Sequence, residues 1–394
     1  MQDHFNNKTS QAYLGLSSFY FFFFIALGAF LPYWSLYLKS LGFNAIEIGE
    51  LMAVVMGSKL FSPYLIGWLS DHLQKRLIII QVSLFFSIVT FTGVLPYQSY
   101  WWFMGVMTVF GFFWNACLPL FESLTLSYLE GDTHRYSRIR LWGSVGFISI
   151  VVALPLVIDE NRISLLPMII LGLLIVSGLT TFFLKDKVDG GKHDFNISFG
   201  KILRNPMVMA FLIVCALQTL SHGAYYTFFS IYLEDHDYSR KLTGIMWALG
   251  VLAEVILFMA VHKVLTRIGI CKLLVIALFL TVLRWMLLAF WVDSLALLVL
   301  IQLFHAASFG LFHATAIALT NQLFPGHLHG RGQALYAGLS FGVGGALGNW
   351  LSGYSWELMG SKWTFLASAF IALIGAIIAT KYIKEERLPA YANN

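Results

Sequence analysis

The sequence predicts an all-α membrane protein, with twelve transmembrane helices in two pseudo-symmetric six-helix bundles. Three observations predict it. Only 11% of the 394 residues are charged, 58% are hydrophobic and mean hydropathy is +0.75, whereas a soluble domain carries about 25% charged residues. Apolar runs of about 20 residues, enough to cross a bilayer core as a helix, recur along the whole chain. The two halves also share a sequence pattern. Lipid supplies no hydrogen-bond partners, so spanning backbone is helical or a closed barrel, and these runs are too long and too evenly apolar for barrel strands.

The spans are expected near 12–38, 45–69, 77–97, 101–128, 138–158, 164–184, 206–233, 243–263, 272–292, 295–322, 331–354 and 361–382. The polar start MQDHFNNKTS lacks the basic region of a cleaved signal peptide, so the first span is expected to stay. That span, FYFFFFIALGAFLPYW, is dense in aromatics, for which facing lipid is the default role. The second and third are joined by GWLSDHLQKR, Gly67 to Arg76. The fourth carries Trp114, Asn115 and Glu122, and the turn LEGDT leads to Arg140 and Trp142 in the fifth. Phe or Trp beside Arg suits an aromatic carboxylate. After the sixth comes the longest polar connection, KDKVDGGKHDFNISFGKILRN, whose glycines and charges suit a cytoplasmic linker. It divides the chain into an N-terminal bundle at 1–184, a linker at 185–205 and a C-terminal bundle at 206–394.

In the seventh span, LSHGAYYTFF offers His222, Tyr225 and Tyr226 as a polar-aromatic cavity wall. The eighth sets Glu254 in the apolar run GVLAEVILF, the ninth carries Arg284, and the tenth, QLFHAASFGLFHATA, carries His305 and His313. A lone His on an apolar helix is more often a packing residue than a titrating one. The small residues of LSFGVGGALGNWLSGY in the eleventh permit close, sliding helix contact. The twelfth is followed by the tail EERLPAYANN.

Charge placement sets the orientation. With both termini on one side, that side receives 18 of the 25 Lys and Arg and the other side 5, leaving Lys59 and Arg284 inside spans. The positive-inside rule then puts both termini in the cytoplasm. A net charge of +5 and pI of 9.0 therefore point to a bilayer and not to nucleic acid. Cys117, Cys215 and Cys271 form no disulfide framework or metal-ligand spacing. No nucleophile elbow or Gly-rich phosphate loop is present. An enzyme and a metal are accordingly not expected, and the tail is too short for a sensor's signalling domain.

The halves are related by an ungapped offset. SLYLKSLGFNAIEIG (Ser35–Gly49) matches SIYLEDHDYSRKLTG (Ser230–Gly244) 195 residues later, which places Lys59 opposite Glu254. A weaker match sets RIRLW (Arg138–Trp142) against RGQAL (Arg331–Leu335). A parallel repeat of two six-span halves is a transporter architecture, with the substrate site expected near the midplane at the repeat interface.

Hairpin geometry gives depths. Glu254 and Arg284 are each 15 residues from Gly269, the centre of the turn RIGIC. At about 1.5 Å per residue they lie roughly 22 Å from its tip, near mid-bilayer. Glu122 and Arg140 are each nine residues from Gly131 and shallower. Charges at a helix centre are costly and face the bundle interior or a water path. They are read either as ion pairs that hold helices together or as a binding site. Lys59, Arg140 and Arg284 outnumber Glu122 and Glu254 by one, and that surplus suits an anionic substrate. Lys59 could also sit at the edge of a wet cavity. A carboxylate that is charged while paired to Arg284, and protonated when a substrate anion occupies the Arg, would couple proton and anion movement. Glu254 is the expected carrier.

These residues resemble the major facilitator superfamily. GWLSDHLQKR is similar to its G-x-x-x-D-x-x-G-R-K/R loop, with Gln74 in place of the second Gly, and implies a conformational role for Asp71 and Arg76. RIRLWGSVGF, GVLAEVILF, VLRWMLL and QLFHAASFGLFHATA, in order at the expected spans, resemble the phenylpropionate permease branch, beside lactose permease and nucleoside–proton symporters. By similarity to lactose permease, Glu122 and Arg140 match a sugar-recognition pair, and Glu254, Arg284 and His305 a proton-coupling and binding cluster. The permease's second carboxylate, three residues after that histidine, is replaced here by Ser308, so that the resemblance leaves Glu254, His305 or Glu122 as the proton site.

The resemblance implies alternating access and proton symport without a cofactor, in a bacterial inner-membrane protein that is monomeric by superfamily default. The expected substrate is a small aromatic acid such as 3-phenylpropionate. A sugar or nucleoside symporter is the alternative, and an efflux transporter or a sensor lies further off. Substrate-binding residues are expected among Glu122, Arg140, Arg284, Lys59, Asn115, His222, Tyr226 and His313, and proton coupling at Glu254, His305 and Arg284.

Overall fold

The computed structural model describes residues 2–130, 132–158, 160–187, 199–324 and 326–388, and every regular element among them is helical. The middle of the expected linker and the turn residue Gly131 lie outside the described residues. The twelve spans are α1 (Gln2–Ser40), α2 (Ala45–Leu73), α3 (Arg76–Val94), α4 (Tyr100–Tyr128), α5 (Thr133–Ala153) and α6 (Arg162–Phe183). They continue with α7 (Pro206–Glu234), α8 (Arg240–Ile268), α9 (Ile270–Trp291), α10 (Leu295–Leu323), α11 and α12 (Ser361–Tyr382). Helix α11 is made of His329–Ala337, a π-helical stretch Gly338–Gly344, and Gly345–Met359. Eleven of the twelve are long and apolar enough to cross a bilayer by composition. In α11, glycine, serine and asparagine dilute the apolar content.

The ungapped repeat is reproduced bond by bond. After α1 the chain turns through Gly42, at φ 89°, and after α7 it turns through Asp237, at φ 59°, which stands 195 residues later. Phe43 N donates to the Leu38 carbonyl at 3.3 Å, and Tyr238 N to the Leu233 carbonyl at 3.0 Å. This is the left-handed cap that satisfies carbonyls left over at a helix C-terminus. The next helix is then capped the same way in both halves. Asn44 Oδ1 accepts from Glu47 N at 2.9 Å, and Ser239 Oγ accepts from Leu242 N at 3.3 Å.

The chain forms two compact units. The first contains Met1–Phe43, Phe61–Gly190 and Ser239–Ala248, and the second Asn44–Leu60, Gly191–Tyr238 and Leu249–Asn394. The start of α2 therefore groups with the C-terminal spans, and the start of α8 with the N-terminal ones. In the first unit, α1 lies between α5 and α6. Its aromatic run is core: Phe19 and Tyr20 are fully buried, Phe23 and Phe24 nearly so, and Phe19 stacks on Phe121. This corrects the lipid-facing expectation. Rings in a helix flanked on several sides by neighbours fill the interior instead. The α1–α5 contact is close because Gly146 has no side chain, and a Cβ there would strike the Phe21 carbonyl.

In the second unit, α12 packs on α9 and α7, and a core of Phe211, Leu274, Leu319 and Ala379 fills the space between helices. Two features shape its interior. Helix α7 breaks at His222, where Gly223 lets the backbone touch Gly348 on α11. Helix α10 widens into a π-helical turn at Ala306–Leu311. Such turns are rare and occur often at functional sites.

Candidate functional site

In the first unit, Glu122 on α4 and Arg140 on α5 meet, with Oε1 and Nε 3.7 Å apart and each side chain about one-third exposed (36% and 32%). Asn115 sits about two turns before Glu122 on α4, half-buried. Arg140 has aromatic company, though not the tryptophans the sequence suggested. Its guanidinium lies 4.1 Å from the Phe24 ring and 5.7 Å from Tyr20. Trp114 packs among Phe30 and Phe110, while Trp142 is 45% exposed beside Phe21. Two residues along a helix turn a side chain to a different face, which is why proximity in sequence misled.

In the second unit, Arg284 is the centre of the site. It is fully buried on α9, with the ring of Tyr225 at 4.4 Å and that of Trp285 at 4.6 Å from its guanidinium carbon. Its Nε donates to the Ile301 carbonyl at 3.1 Å and its Nη1 to Ser308 Oγ at 2.9 Å. Nη1 also lies 3.1 Å from His305 Nδ1, and Nη2 is 3.5 Å from Gln302 Oε1, which accepts from the Tyr225 hydroxyl at 2.9 Å. All four acceptors are neutral, and among the described residues no carboxylate lies within 4.0 Å of Arg284.

The expected direct pair of Glu254 with Arg284 is therefore not formed. His305 stands between them, with Nε2 3.8 Å from Glu254 Oε2. Equal depth placed the three at one level, but which faces met depended on helix rotation, which depth does not give. Because a guanidinium can only donate, His305 Nδ1 is the acceptor, and in the neutral ring the proton sits on Nε2, facing Glu254. Two glycines leave room for this chain of groups. A Cβ at Gly250 would lie 3.4 Å from the His305 ring, and one at Gly310 would press on Glu254 Cγ at 2.9 Å.

The π-helical turn lines up His305, Phe309 and His313 as a column. Phe309 is near-parallel to His305 (2°, 5.3 Å) and to His313 (11°, 5.9 Å). Below it lies a small cavity lined by His222, Tyr226, Gln218, Thr219, Ser308, Phe309, Phe312, His313, Tyr336 and Phe341. His222, Tyr226 and His313 thus line one cavity, and His313 Nδ1 is 2.8 Å from the Tyr336 hydroxyl. Lys59, at the irregular turn in α2, lies with its ammonium 5.8 Å from the Phe341 ring centre.

Sequence reading missed Gln218 and Gln302, and it read Ser308 only as a lost carboxylate and not as a partner of Arg284. The two glutamines were detectable, since an amide in an apolar span must find a partner inside the bundle. Tyr20 and Phe24 gave no signal, because a run of aromatics has no periodicity to mark its inner face.

Where α2 ends and α3 begins, Asp71 and Arg76 form an ion pair at 3.7 Å, and Arg76 Nη1 also donates to Ser127 Oγ at 3.1 Å. Gln74, standing where the loop pattern has Gly, keeps the tight turn by adopting φ 53°, ψ 34°, and its Nε2 donates to the Asp71 carbonyl at 2.5 Å.

Comparison with known proteins agrees with this architecture. Residues 13–367 match the MFS_1 like family. The "Probable 3-phenylpropionic acid transporter" of Escherichia coli (strain K12) is 27% identical over 378 residues, which cover 92% of this chain and 96% of that protein. The maltose permease of Geobacillus stearothermophilus is 25% identical over 94% of each chain. A crystal structure of the nucleoside transporter NupG superposes with a TM-score of 0.80 at 18% identity, covering 95% of this chain and 99% of the other.

Proposed function

The chain belongs to the MFS_1-like family of the major facilitator superfamily and is a multi-pass secondary transporter, and we propose that it carries a small aromatic carboxylate together with a proton. One observation carries the anionic substrate: Arg284 is buried, held by neutral acceptors, and has no carboxylate within 4.0 Å among the described residues. A fixed positive charge without an anionic partner, beside the rings of Tyr225 and Trp285, suits a carboxylate attached to an aromatic group. Lys59, whose ammonium lies against the Phe341 ring, adds positive potential. The relative named for 3-phenylpropionic acid supplies the substrate to try first.

Proton coupling rests on the chain of groups Arg284, His305 and Glu254. A substrate carboxylate that engages Arg284 brings negative charge to the far side of His305. By Coulomb's law that charge favours a proton on the His305–Glu254 pair, and by linkage a bound proton favours the anion equally. Substrate and proton then load and leave together, which is what symport requires. Glu122 and Arg140, one-third exposed and flanked by Phe24 and Tyr20, form the corresponding recognition cluster in the first unit. The same pair could hydrogen-bond hydroxyls, which is the observation behind a second reading, a sugar or nucleoside substrate.

Asp71 and Arg76 act as a charge contact that helps to hold one conformation of the cycle. The basic bias of 18 to 5 supports cytoplasmic termini in a bacterial inner membrane, with the protein acting as a monomer. The test is uptake of labelled 3-phenylpropionate by proteoliposomes under an inward proton gradient. Gradient-dependent accumulation that a protonophore abolishes is the expected result. Uptake indifferent to the protonophore removes proton coupling, and absence of uptake by folded protein removes this substrate.

A further inference from the structure

We propose that the cavity beside the break in α7 reads a hydrogen-bond donor on the substrate, and that the preferred substrate is an aromatic acid bearing a ring hydroxyl. The proposal rests on the anionic reading of Arg284 and adds what recognises the other end of the molecule.

It follows from two acceptors with no donor. Gln218 is 3% exposed, and its Nε2 donates to the Ser308 carbonyl at 2.6 Å and to Thr281 Oγ1 at 2.9 Å. A carbonyl can only accept, so the amide cannot be turned round, and the Thr281 hydroxyl is itself spent on the Ala277 carbonyl at 2.8 Å. Both amide hydrogens of Gln218 are thus used inside the protein, while its Oε1, buried, receives no hydrogen bond. His222 is 2% exposed, and its Nδ1 lies 2.8 Å from the Gln218 backbone carbonyl. Nδ1 must therefore carry the hydrogen, and in the neutral ring Nε2 is a bare lone pair. It too is buried without a partner. Both residues line the same cavity.

Buried acceptors are almost always satisfied. Two left open on residues that line one cavity suit a ligand that donates there. The donor is a hydroxyl and not an ammonium, because Arg284 is close and repels a second cation. Trp285 links the two places: its ring meets His222 edge-on at 4.8 Å and stacks on the Arg284 guanidinium at 4.6 Å. Ser308 links them again, accepting from Gln218 at its carbonyl and from Arg284 at its hydroxyl. The donor-reading and anion-reading groups therefore share Ser308 and Trp285 as neighbours, and Phe309, Phe312 and Tyr226 line the cavity on the donor-reading side, which must widen to admit a ring.

The test is equilibrium binding to the full-length protein in lipid nanodiscs, with four probes: 3-phenylpropionate, its ring-hydroxylated congener, the matching methoxy congener, and a neutral alkylphenol. The hydroxylated acid is expected to bind at least about tenfold tighter than the parent, in keeping with sites built to pair a substrate hydroxyl. The methoxy acid, which cannot donate, should gain nothing. His222→Phe keeps a ring and removes the lone pair, and should bring the hydroxylated-to-parent ratio within about twofold. Equal binding of the parent and hydroxylated acids overturns the proposal and leaves the anion reading intact, as does a methoxy acid that matches the hydroxylated one. Binding of the alkylphenol when neither acid binds supports the donor site and removes the anion reading. If no probe binds to folded protein, both fall. The methoxy comparison needs no variant, so it decides the matter even if His222→Phe does not fold.

Discussion

Replacing Arg284 with lysine keeps the buried charge and removes the fork that distributes it. The guanidinium makes three short contacts, at 3.1 Å to the Ile301 carbonyl, 2.9 Å to Ser308 Oγ and 3.1 Å to His305 Nδ1. These partners are reached from two different nitrogens, Nε and Nη1. A lysine carries all its donors on one atom and can restore about one of the three. In a soluble protein, two lost bonds to a charged group cost about 1.5–3 kcal/mol each. Inside a membrane, interhelical hydrogen bonds average about 0.6 kcal/mol and reach about 1.7, because the unfolded chain in lipid also finds partners. The second scale applies here, so Arg284→Lys should lose about 1–3 kcal/mol and remain folded. Transport should suffer more. A carboxylate loses the planar, delocalised charge and the Nη2 donor of the guanidinium, and His305 loses the donor that fixes its tautomer. KM for the acid should rise about tenfold to a hundredfold, equivalent to about 1.4–2.8 kcal/mol, and the accumulation ratio under a fixed pH gradient should fall towards one. Fluorescence-detected melting in detergent and initial-rate uptake in proteoliposomes give the two numbers. A folded Arg284→Lys protein whose KM stays within about twofold of the parent would refute the reasoning.

Glu254→Gln preserves volume and removes the ionisable carboxylate beside His305. It should still exchange labelled for unlabelled substrate across the membrane but fail to accumulate it uphill, and uphill accumulation at the parent level would be a contradiction. Gln74→Gly relieves a left-handed residue at φ 53°. Relief of about 1–2 kcal/mol, offset by loss of the Gln74–Asp71 hydrogen bond and a more flexible unfolded chain, should leave the melting temperature level or slightly higher, and a fall of several degrees would show that the side chain matters more than the turn. Gly223→Ala drives a Cβ into the Gly348 backbone, which has no side chain to move aside, and should destabilise by about 1–3 kcal/mol or more. Gly105→Ala, with nothing within 4 Å of the new Cβ, is the matched control and should melt no lower than the parent.

The spans were legible in sequence because a bilayer demands long apolar helices. The repeat was legible because its strongest match falls on turn and cap residues, where Gly42 and Asp237, or Asn44 and Ser239, are constrained by backbone geometry. The depths of Glu254, Arg284 and His305 followed from residue counts along hairpins. What did not follow was rotation about each helix axis. A span that is apolar all round has no hydrophobic face to read, so the insertion of His305 between Arg284 and Glu254, the turning of Trp142 away from Arg140, and the burial of Phe19 and Tyr20 were set by packing alone. The π-helical turn at Ala306–Leu311 was equally silent in the sequence, although it positions the His305–Phe309–His313 column.

The central claim is that anion and proton move together, and it is tested most directly by watching the proton. Proteoliposomes with no initial pH difference, clamped at zero membrane potential, would be given external 3-phenylpropionate or its hydroxylated congener, with a pH dye outside and labelled substrate inside counted in parallel. The account predicts external alkalinisation that starts with substrate entry, scales with it, and disappears in Glu254→Gln. Substrate entry at the normal rate with no change in external pH would contradict it.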